Sequence, residues 1–186
     1  WLGFLVSLLF MLLLSPKSKT PYFILVFFMA LIIFTPVLRE RALHTFTVNG
    51  DSDRFLVWKG TWGMIKDYPF LGIGLGTFMD NFVAYVPRRD YALYIQYTHN
   101  CYLQMWAETG IFSLLGFLGF IVILLSRGIK VFVKSRDFLI LGLVCGILGF
   151  LVHSFFDTQF YSLQLSAFFW SMAGILYAAI LQKNPA

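Results

Sequence analysis

Long hydrophobic runs alternate with short polar stretches along the chain. Five such runs stand out, and none has Asp, Glu, Lys or Arg in its middle. A helix needs about 20 residues to cross the hydrocarbon core of a bilayer, about 30 Å thick. We therefore predict about five membrane spans, over residues 1–14, 22–38, 111–126, 138–156 and 160–181. The first run is short and lacks signal-peptide features, so we expect it to be the end of a truncated helix.

The composition agrees with a membrane protein. Of the 186 residues, 59% are hydrophobic and only 12% are charged, whereas soluble domains are about 25% charged. This excludes a soluble globular enzyme and a disordered chain. We predict an all-α fold, a polytopic transmembrane helix bundle forming the C-terminal part of one membrane domain over residues 1–186, with a large, partly helical external loop.

Lys and Arg in the short connections set the orientation of the bundle. The stretches 15–21 and 127–137 are basic, and the C-terminal tail carries Lys183. Placing these in the cytoplasm puts residues 39–110 and the turn at 157–159 outside. We expect a multi-pass membrane protein. If the host is a Gram-negative bacterium, it lies in the bacterial inner membrane with its large loop in the periplasm.

The external loop, residues 39–110, holds seven basic and seven acidic residues. Connections this long are usually functional. Asp51-Ser52-Asp53 reads as the N-cap of an amphipathic helix that stops at Tyr68-Pro69. Its predicted apolar stripe consists of Phe55, Trp58, Trp62 and Ile65.

Three alternating glycines follow this helix, at Gly72, Gly74 and Gly76. The spacing matches neither common nucleotide-binding motif. A tight turn or a close approach of two backbones is the favoured reading. Amides in such a turn could still face an anion.

A second element begins near His99. Thr98 could cap a helix whose first residue is His99, with Glu108 on nearly the opposite face. By pattern alone His99 is either structural or catalytic. His153 and Asp157, spaced i and i+4, are read either as a structural hydrogen-bonded pair or as support for an external site.

The sequence offers little for a metal or cofactor. Asp51-x-Asp53 resembles a metal-binding Asp-x-Asp, but helix capping explains it, and no cluster has zinc-ligand spacing. We expect no metal, no cofactor and no nucleic-acid partner.

Three motifs in order resemble the O-antigen ligase and polymerase superfamily, over about residues 39–125. They are Asp53-Arg54 with Trp58, then residues 67–78, then His99-Asn100-x-Tyr102-Leu103-Gln104 with Glu108-x-Gly110. The segment 153–157 is also similar to that group.

The resemblance implies a metal-independent, membrane-embedded glycosyltransferase of GT-C-like architecture. Its donor would be a glycan on undecaprenyl pyrophosphate, and its acceptor lipid A–core or another lipid-linked repeat unit. Arg54 matches the family arginine that holds the pyrophosphate, since a guanidinium suits phosphate. His99 matches the histidine proposed as base on the acceptor hydroxyl, or as the group that orients it.

Other residues complete the predicted site. We expect His153 and Asp157 to support the site without contacting substrate themselves. Arg88 and Arg89 could add positive charge near the pyrophosphate or bind anionic headgroups. The residues expected to contact substrate are Trp58, Lys59, Arg88, Arg89, Asn100 and Glu108.

Two other functions remain open at this point. A transporter would place charges or broken helices at the membrane midplane, which these five runs lack. A membrane scaffold with an external binding loop would tolerate loss of His99 and Arg54. The sequence does not distinguish a ligase from a polymerase.

Overall fold

The computed structural model describes residues 2–15, 19–37, 39–40, 51–86 and 97–183. These residues are mostly helical and include no β-strand, which confirms the predicted all-α class. The α-helices are α1 (Leu2–Leu14), α2 (Thr20–Phe34), α3 (Asp51–Asp67), α4 (Phe78–Phe82), α5 (Cys101–Ser135), α6 (Phe138–His153) and α7 (Leu163–Lys183).

Helices α5 and α7 are the two, within the described residues, that are long and apolar enough to cross a membrane. Only 22% of the apolar stretch of each is buried inside the protein, so most of their apolar side chains face outward. Helices α1, α2 and α6 are apolar but shorter. The count of five spans therefore stays a prediction.

One hydrophobic core lies among the apolar helices. Phe132, Ile147, Phe169 and Leu176 from α5, α6 and α7 are fully buried there. These apolar contacts hold the three helices together along their lengths.

Helix α1 packs against α6 through small side chains. The Ser7 hydroxyl donates to the Cys145 carbonyl at 2.8 Å. A Cβ on Gly149 would collide with that hydroxyl, and one on Gly3 with the Gly149 carbonyl. Small residues at such a crossing are typical of membrane helices, whose backbones approach closely.

Helix α5 is broken at Gly110, where φ is 79° and ψ is 173°. The break coincides with the predicted start of the third span. The helix continues past residue 126, where the predicted span ends, to Ser135. The basic stretch expected as a loop over residues 127–137 is therefore mostly helical. Long Lys and Arg side chains allow this, since their heads can reach water from the end of a membrane helix.

A second core lies between α3 and α4. Val57 and Met64 of α3 are buried against Phe78 and Phe82 of α4. Helix α3 ends at Asp67, as predicted from Tyr68-Pro69.

The apolar stripe predicted for α3 is not one continuous buried face. Phe55 is 70% exposed and Trp62 is 44% exposed, while Ile65 is buried. The helix is covered on two sides, by α4 along Val57 and Met64 and by α5 beside the tryptophans. One apolar stripe cannot describe a helix with two partners.

Candidate active site

The glycine-rich loop docks onto the part of α5 that precedes Gly110. The Ile73 amide donates to the Ala107 carbonyl and the Gly74 amide to the Glu108 carbonyl, both at 2.9 Å. Gly72 has a φ of 68°, and a Cβ there would collide with the Glu108 backbone. The predicted close approach of two backbones is confirmed, and it explains why glycine stands at this position.

The Glu108 carboxylate lies at the centre of this junction and is 1% exposed. It accepts from the amides of Gly76 at 3.1 Å and Phe78 at 3.3 Å. It also accepts from Gln104 Nε2 at 3.3 Å and from the Tyr161 hydroxyl at 2.9 Å. The loop amides thus face an anion that belongs to the protein itself. Four donors fix this carboxylate, and they tie the loop, α5 and the turn before α7 together.

A cavity of about 280 Å³ opens beside the same carboxylate. Its lining includes Tyr97, Met79, Tyr161 and Glu108. The Tyr161 hydroxyl lines this cavity and donates to the Glu108 carboxylate. The contact of Glu108 with substrate stays a prediction. A substrate group would reach this carboxylate through the cavity.

The segment leading into α5 is anchored on both sides of His99. Thr98 and Asn100 are buried, while the His99 side chain is 47% exposed. The Asn100 side chain accepts from the amides of Tyr102 and Leu103, each at 3.0 Å. Asn100 is therefore the N-cap and α5 begins at Cys101. The expected cap at Thr98 and helix start at His99 are wrong, because the Thr98 hydroxyl instead bonds the Asn100 backbone.

His99 itself adopts a left-handed backbone with a φ of 52°. This conformation is uncommon outside glycine. It turns the chain so that one exposed imidazole stands between two buried neighbours. Its Nδ1 lies 4.0 Å from Asp157 Oδ1, and both side chains are about half exposed.

The turn after α6 brings Asp157 to His99. The Cys101 amide donates to the Ser154 carbonyl at 2.9 Å, and the Cys101 thiol to the Asp157 carbonyl at 3.2 Å. The predicted i, i+4 pair of His153 and Asp157 does not form, because α6 ends at His153. His153 instead lines a cavity beside α1.

Trp58 links α3 to the segment that carries His99. Its indole Nε1 donates to the Thr98 carbonyl at 2.9 Å, and its ring packs edge-on against Phe155. Arg54 lies one helical turn before Trp58, so the two share a face of α3. The Arg54 side chain is exposed. Lys59 is also exposed and lies about 140° around the helix from Arg54.

An apolar cavity of about 320 Å³ lies next to this cluster. It is lined by Tyr102, Leu151, Val152, Phe155 and Phe156. Phe155 contacts Trp58, so the cavity borders the face of α3 that carries Arg54.

Some predicted residues lie outside the described part of the chain, namely Arg88 and Arg89. The side chains of Asp51 and Asp53 are also not described. Among the described residues, no three His, Cys, Asp or Glu side chains converge as a metal site would require. The metal-free mechanism stays a prediction.

Sequence reasoning missed Gln104 and Tyr161. Gln104 bonds both the Thr98 amide, at 3.1 Å, and Glu108. Its i, i+4 spacing from Glu108 is a signal that could have revealed the pair. Tyr161 lies between two apolar helices, and no sequence pattern connects it to residue 108.

A family model described as O-antigen ligase matches residues 1–118. The matched range contains α3, the glycine loop, His99 and Glu108, whereas Asp157 and Tyr161 lie beyond it. No curated protein and no solved structure matches the chain.

Proposed function

The chain belongs to the O-antigen ligase family, and from this premise we propose that it transfers a glycan from an undecaprenyl-pyrophosphate carrier to an acceptor. The acceptor would be lipid A–core or another lipid-linked repeat unit. The reaction would contribute to surface polysaccharide assembly at the periplasmic face of the inner membrane.

The observation that carries this proposal is the presentation of His99. Its imidazole is half exposed while Thr98 and Asn100 on either side are buried. An uncommon backbone conformation persists only where the surroundings enforce it, and such residues cluster at functional sites. Here the Trp58 indole donates to the Thr98 carbonyl, and the amides of Tyr102 and Leu103 donate to the Asn100 side chain, so the segment is fixed on both sides of His99.

The proposed reaction is a single displacement at the anomeric carbon. His99 accepts the proton of the acceptor hydroxyl as its oxygen forms the new glycosidic bond. The bond from the anomeric carbon to the pyrophosphate oxygen breaks, and undecaprenyl pyrophosphate leaves with the electron pair. Arg54 binds the leaving group, because a guanidinium offers fixed positive charge and paired donors. Asp157 orients the imidazole and stabilises its charged form.

The surroundings of the site support a lipid-linked donor. The apolar cavity beside Phe155 and Tyr102 borders the face of α3 that carries Arg54. A prenyl chain entering from the membrane would find apolar surface there, with its pyrophosphate near the guanidinium. Trp58 would contact the sugar from the same side, and Lys59, Arg88 and Arg89 would add positive charge around it. Asn100, buried as the N-cap of α5, would hold the segment that carries His99.

The same proposal includes the topology. Five spans, with the basic ends of α5 and α7 in the cytoplasm, put His99, Asp157 and the glycine loop together on the outer side. The positive-inside distribution of Lys and Arg supports this arrangement.

Membranes containing the full-length protein, supplied with a lipid-pyrophosphate-linked glycan, test the proposal. The best variant is His99→Asn, because asparagine tolerates a left-handed backbone and so retains the loop conformation. His99→Ala serves as a second variant, and Lys66→Gln, an exposed change on α3, as a control. Glycan transfer and undecaprenyl pyrophosphate release are measured at equal amounts of folded protein.

We expect the wild type and Lys66→Gln to be active and His99→Asn to lose about 10²–10⁴-fold in rate, the usual contribution of general base catalysis. The size ladder of the product then distinguishes polymerase from ligase. Equal rates in wild type and His99→Asn would remove His99 from the chemistry. An inactive wild type with several donors and acceptors would contradict the glycosyltransferase proposal.

A further inference from the structure

A basic cleft lies at the end of α5 opposite His99. Its volume is about 590 Å³, and it opens between the last turns of α5 and α7. The cations that line it are Arg127, Lys130, Lys134 and Lys183, and its apolar lining includes Val131 and Ile180.

The position of this cleft matches the edge of a membrane. The part of α5 after Gly110 spans residues 111–135, a length of about 37 Å at 1.5 Å per residue. The hydrocarbon core is about 30 Å thick, so the last turns of α5 reach the headgroup region. By the positive-inside rule this is the cytoplasmic leaflet.

The charge in the cleft is largely uncompensated by the described residues. Lys183 Nζ lies 3.3 Å from Asp137 Oδ2. The Leu139 amide and Lys183 lower the pKa of the Asp137 carboxyl, so this acid stays ionised and offsets Lys183. Arg127, Lys130 and Lys134 have no ion pair within the described residues. Like charges three and four residues apart on a helix repel each other, and a bound anion would relieve that repulsion.

The walls of the cleft are as informative as its charges. Leu181 in the lining is 45% exposed, while Val131 and Ile180 are buried, so apolar surface lies beside the cations. A free inorganic anion would gain nothing from this apolar surface. A phospholipid would, because its phosphates can contact the cations while the first carbons of its acyl chains cover the apolar side chains.

We propose that this cleft binds the headgroup of an anionic phospholipid of the cytoplasmic leaflet, with diphosphatidylglycerol, which carries two phosphates, as the preferred lipid. Three cations on α5, none of them in an ion pair with a described residue, and a fourth on the facing helix suit two phosphates better than one. Basic pockets between membrane helices on the cytoplasmic side are known to take such headgroups. The inference does not depend on glycan transfer, because the cleft lies at the other end of α5.

Native mass spectrometry of the full-length protein in detergent tests this inference. Diphosphatidylglycerol, phosphatidylcholine and inorganic pyrophosphate are the probes. The variants are Arg127→Gln/Lys130→Gln/Lys134→Gln together, Lys130→Gln alone, and Lys130→Arg, which keeps the charge. Lys66→Gln removes a cation from the external helix α3 and is the matched control. Thermal unfolding without added lipid verifies that each variant is folded.

We expect diphosphatidylglycerol to bind in preference to phosphatidylcholine. Each lost cation should weaken binding about fivefold, and the triple variant by on the order of a hundredfold. Lys130→Arg and Lys66→Gln should bind as the wild type does. If the triple variant does not fold, lipid binding by Lys130→Gln tests the proposal in its place.

Three results would overturn the proposal. Phosphatidylcholine could bind equally well, which would mean that the cleft does not select charge. Pyrophosphate could displace the lipid at equal concentration, which would indicate a site for a small anion. The folded cleft variants could retain full lipid binding, which would place the lipid elsewhere.

Discussion

The indole Nε1 of Trp58 donates a hydrogen bond to the Thr98 carbonyl at 2.9 Å. Thr98 precedes His99, and Trp58 lies one turn after Arg54 on α3. A single contact therefore couples the helix of the predicted pyrophosphate-binding arginine to the segment of the predicted base. Relative placement of two catalytic groups matters because a displacement of about 1 Å can cost a hundredfold in rate.

Trp58→Phe tests this coupling. The phenyl ring can still pack against Phe155, but the donor to the Thr98 carbonyl is lost. We expect the free energy of unfolding to fall by about 1 kcal/mol, the usual value for one hydrogen bond. Turnover should fall by roughly tenfold or more, as the position of His99 relaxes. Thermal unfolding and glycan-transfer rates measure the two effects.

The matched control is Trp62→Phe, one turn further along α3. Trp62 packs edge-on against Trp106 at 5.5 Å, and its indole makes no hydrogen bond within the described residues. We expect nearly normal turnover. If both variants lose turnover equally, the size of the aromatic side chains on α3 matters for activity, and the hydrogen bond to the Thr98 carbonyl does not.

Local patterns predicted the elements that depend on local chemistry. The Tyr68-Pro69 pair predicts the end of α3, because proline acts on its own backbone, and the predicted start of the third span coincides with the break in α5 at Gly110. The failures concern partners distant in sequence. The predicted partner of Asp157 is His153, four residues away, but Asp157 faces His99, which only the packing of α5 against α6 brings near. The partners of α3 lie in α4 and α5, and for the same reason its apolar stripe does not reveal which side chains are buried.

Arg54→Lys keeps the positive charge of the predicted pyrophosphate ligand and removes its forked geometry. A lysine offers one compact point charge in place of paired donors. We expect a loss of turnover on the order of a hundredfold, as for other transition-state donors, with unchanged thermal unfolding because the side chain is exposed. Initial rates of undecaprenyl pyrophosphate release measure it. Near-normal rates would count strongly against bidentate binding of the pyrophosphate by Arg54. Lys66→Arg, the reverse exchange of the two cations on the same helix, is the control.

Glu108→Gln replaces one carboxylate oxygen by an amide nitrogen of almost the same size. All four partners of the carboxylate are donors, so the new NH₂ group must face at least one of them. A buried donor left without an acceptor destabilises, and we expect a loss of about 2–3 kcal/mol in the free energy of unfolding. Thermal unfolding measures this loss. Asp80→Asn, which removes an exposed charge on α4, should change it by less than about 0.5 kcal/mol.

An unchanged stability in Glu108→Gln would mean that these four bonds do not hold the glycine loop on α5. The carboxylate would then be available for the predicted contact with substrate. A variant that is stable but slow in glycan transfer would favour that role over a structural one.

Gly110→Ala tests the break in α5 between the candidate site and the predicted membrane span. The φ of 79° disfavours any residue with a Cβ, and the added atom would collide with the Phe70 carbonyl. Neither backbone can move freely, because the Ile111 amide donates to the Pro69 carbonyl at 3.0 Å. We expect a loss of more than about 2 kcal/mol in the free energy of unfolding, together with loss of glycan transfer. Gly116→Ala is the matched change on the same helix, where a Cβ meets nothing within 4 Å, so it should leave thermal unfolding unchanged or slightly improved. If both alanine variants unfold at the wild-type temperature, the loop is not locked onto α5 through Gly110.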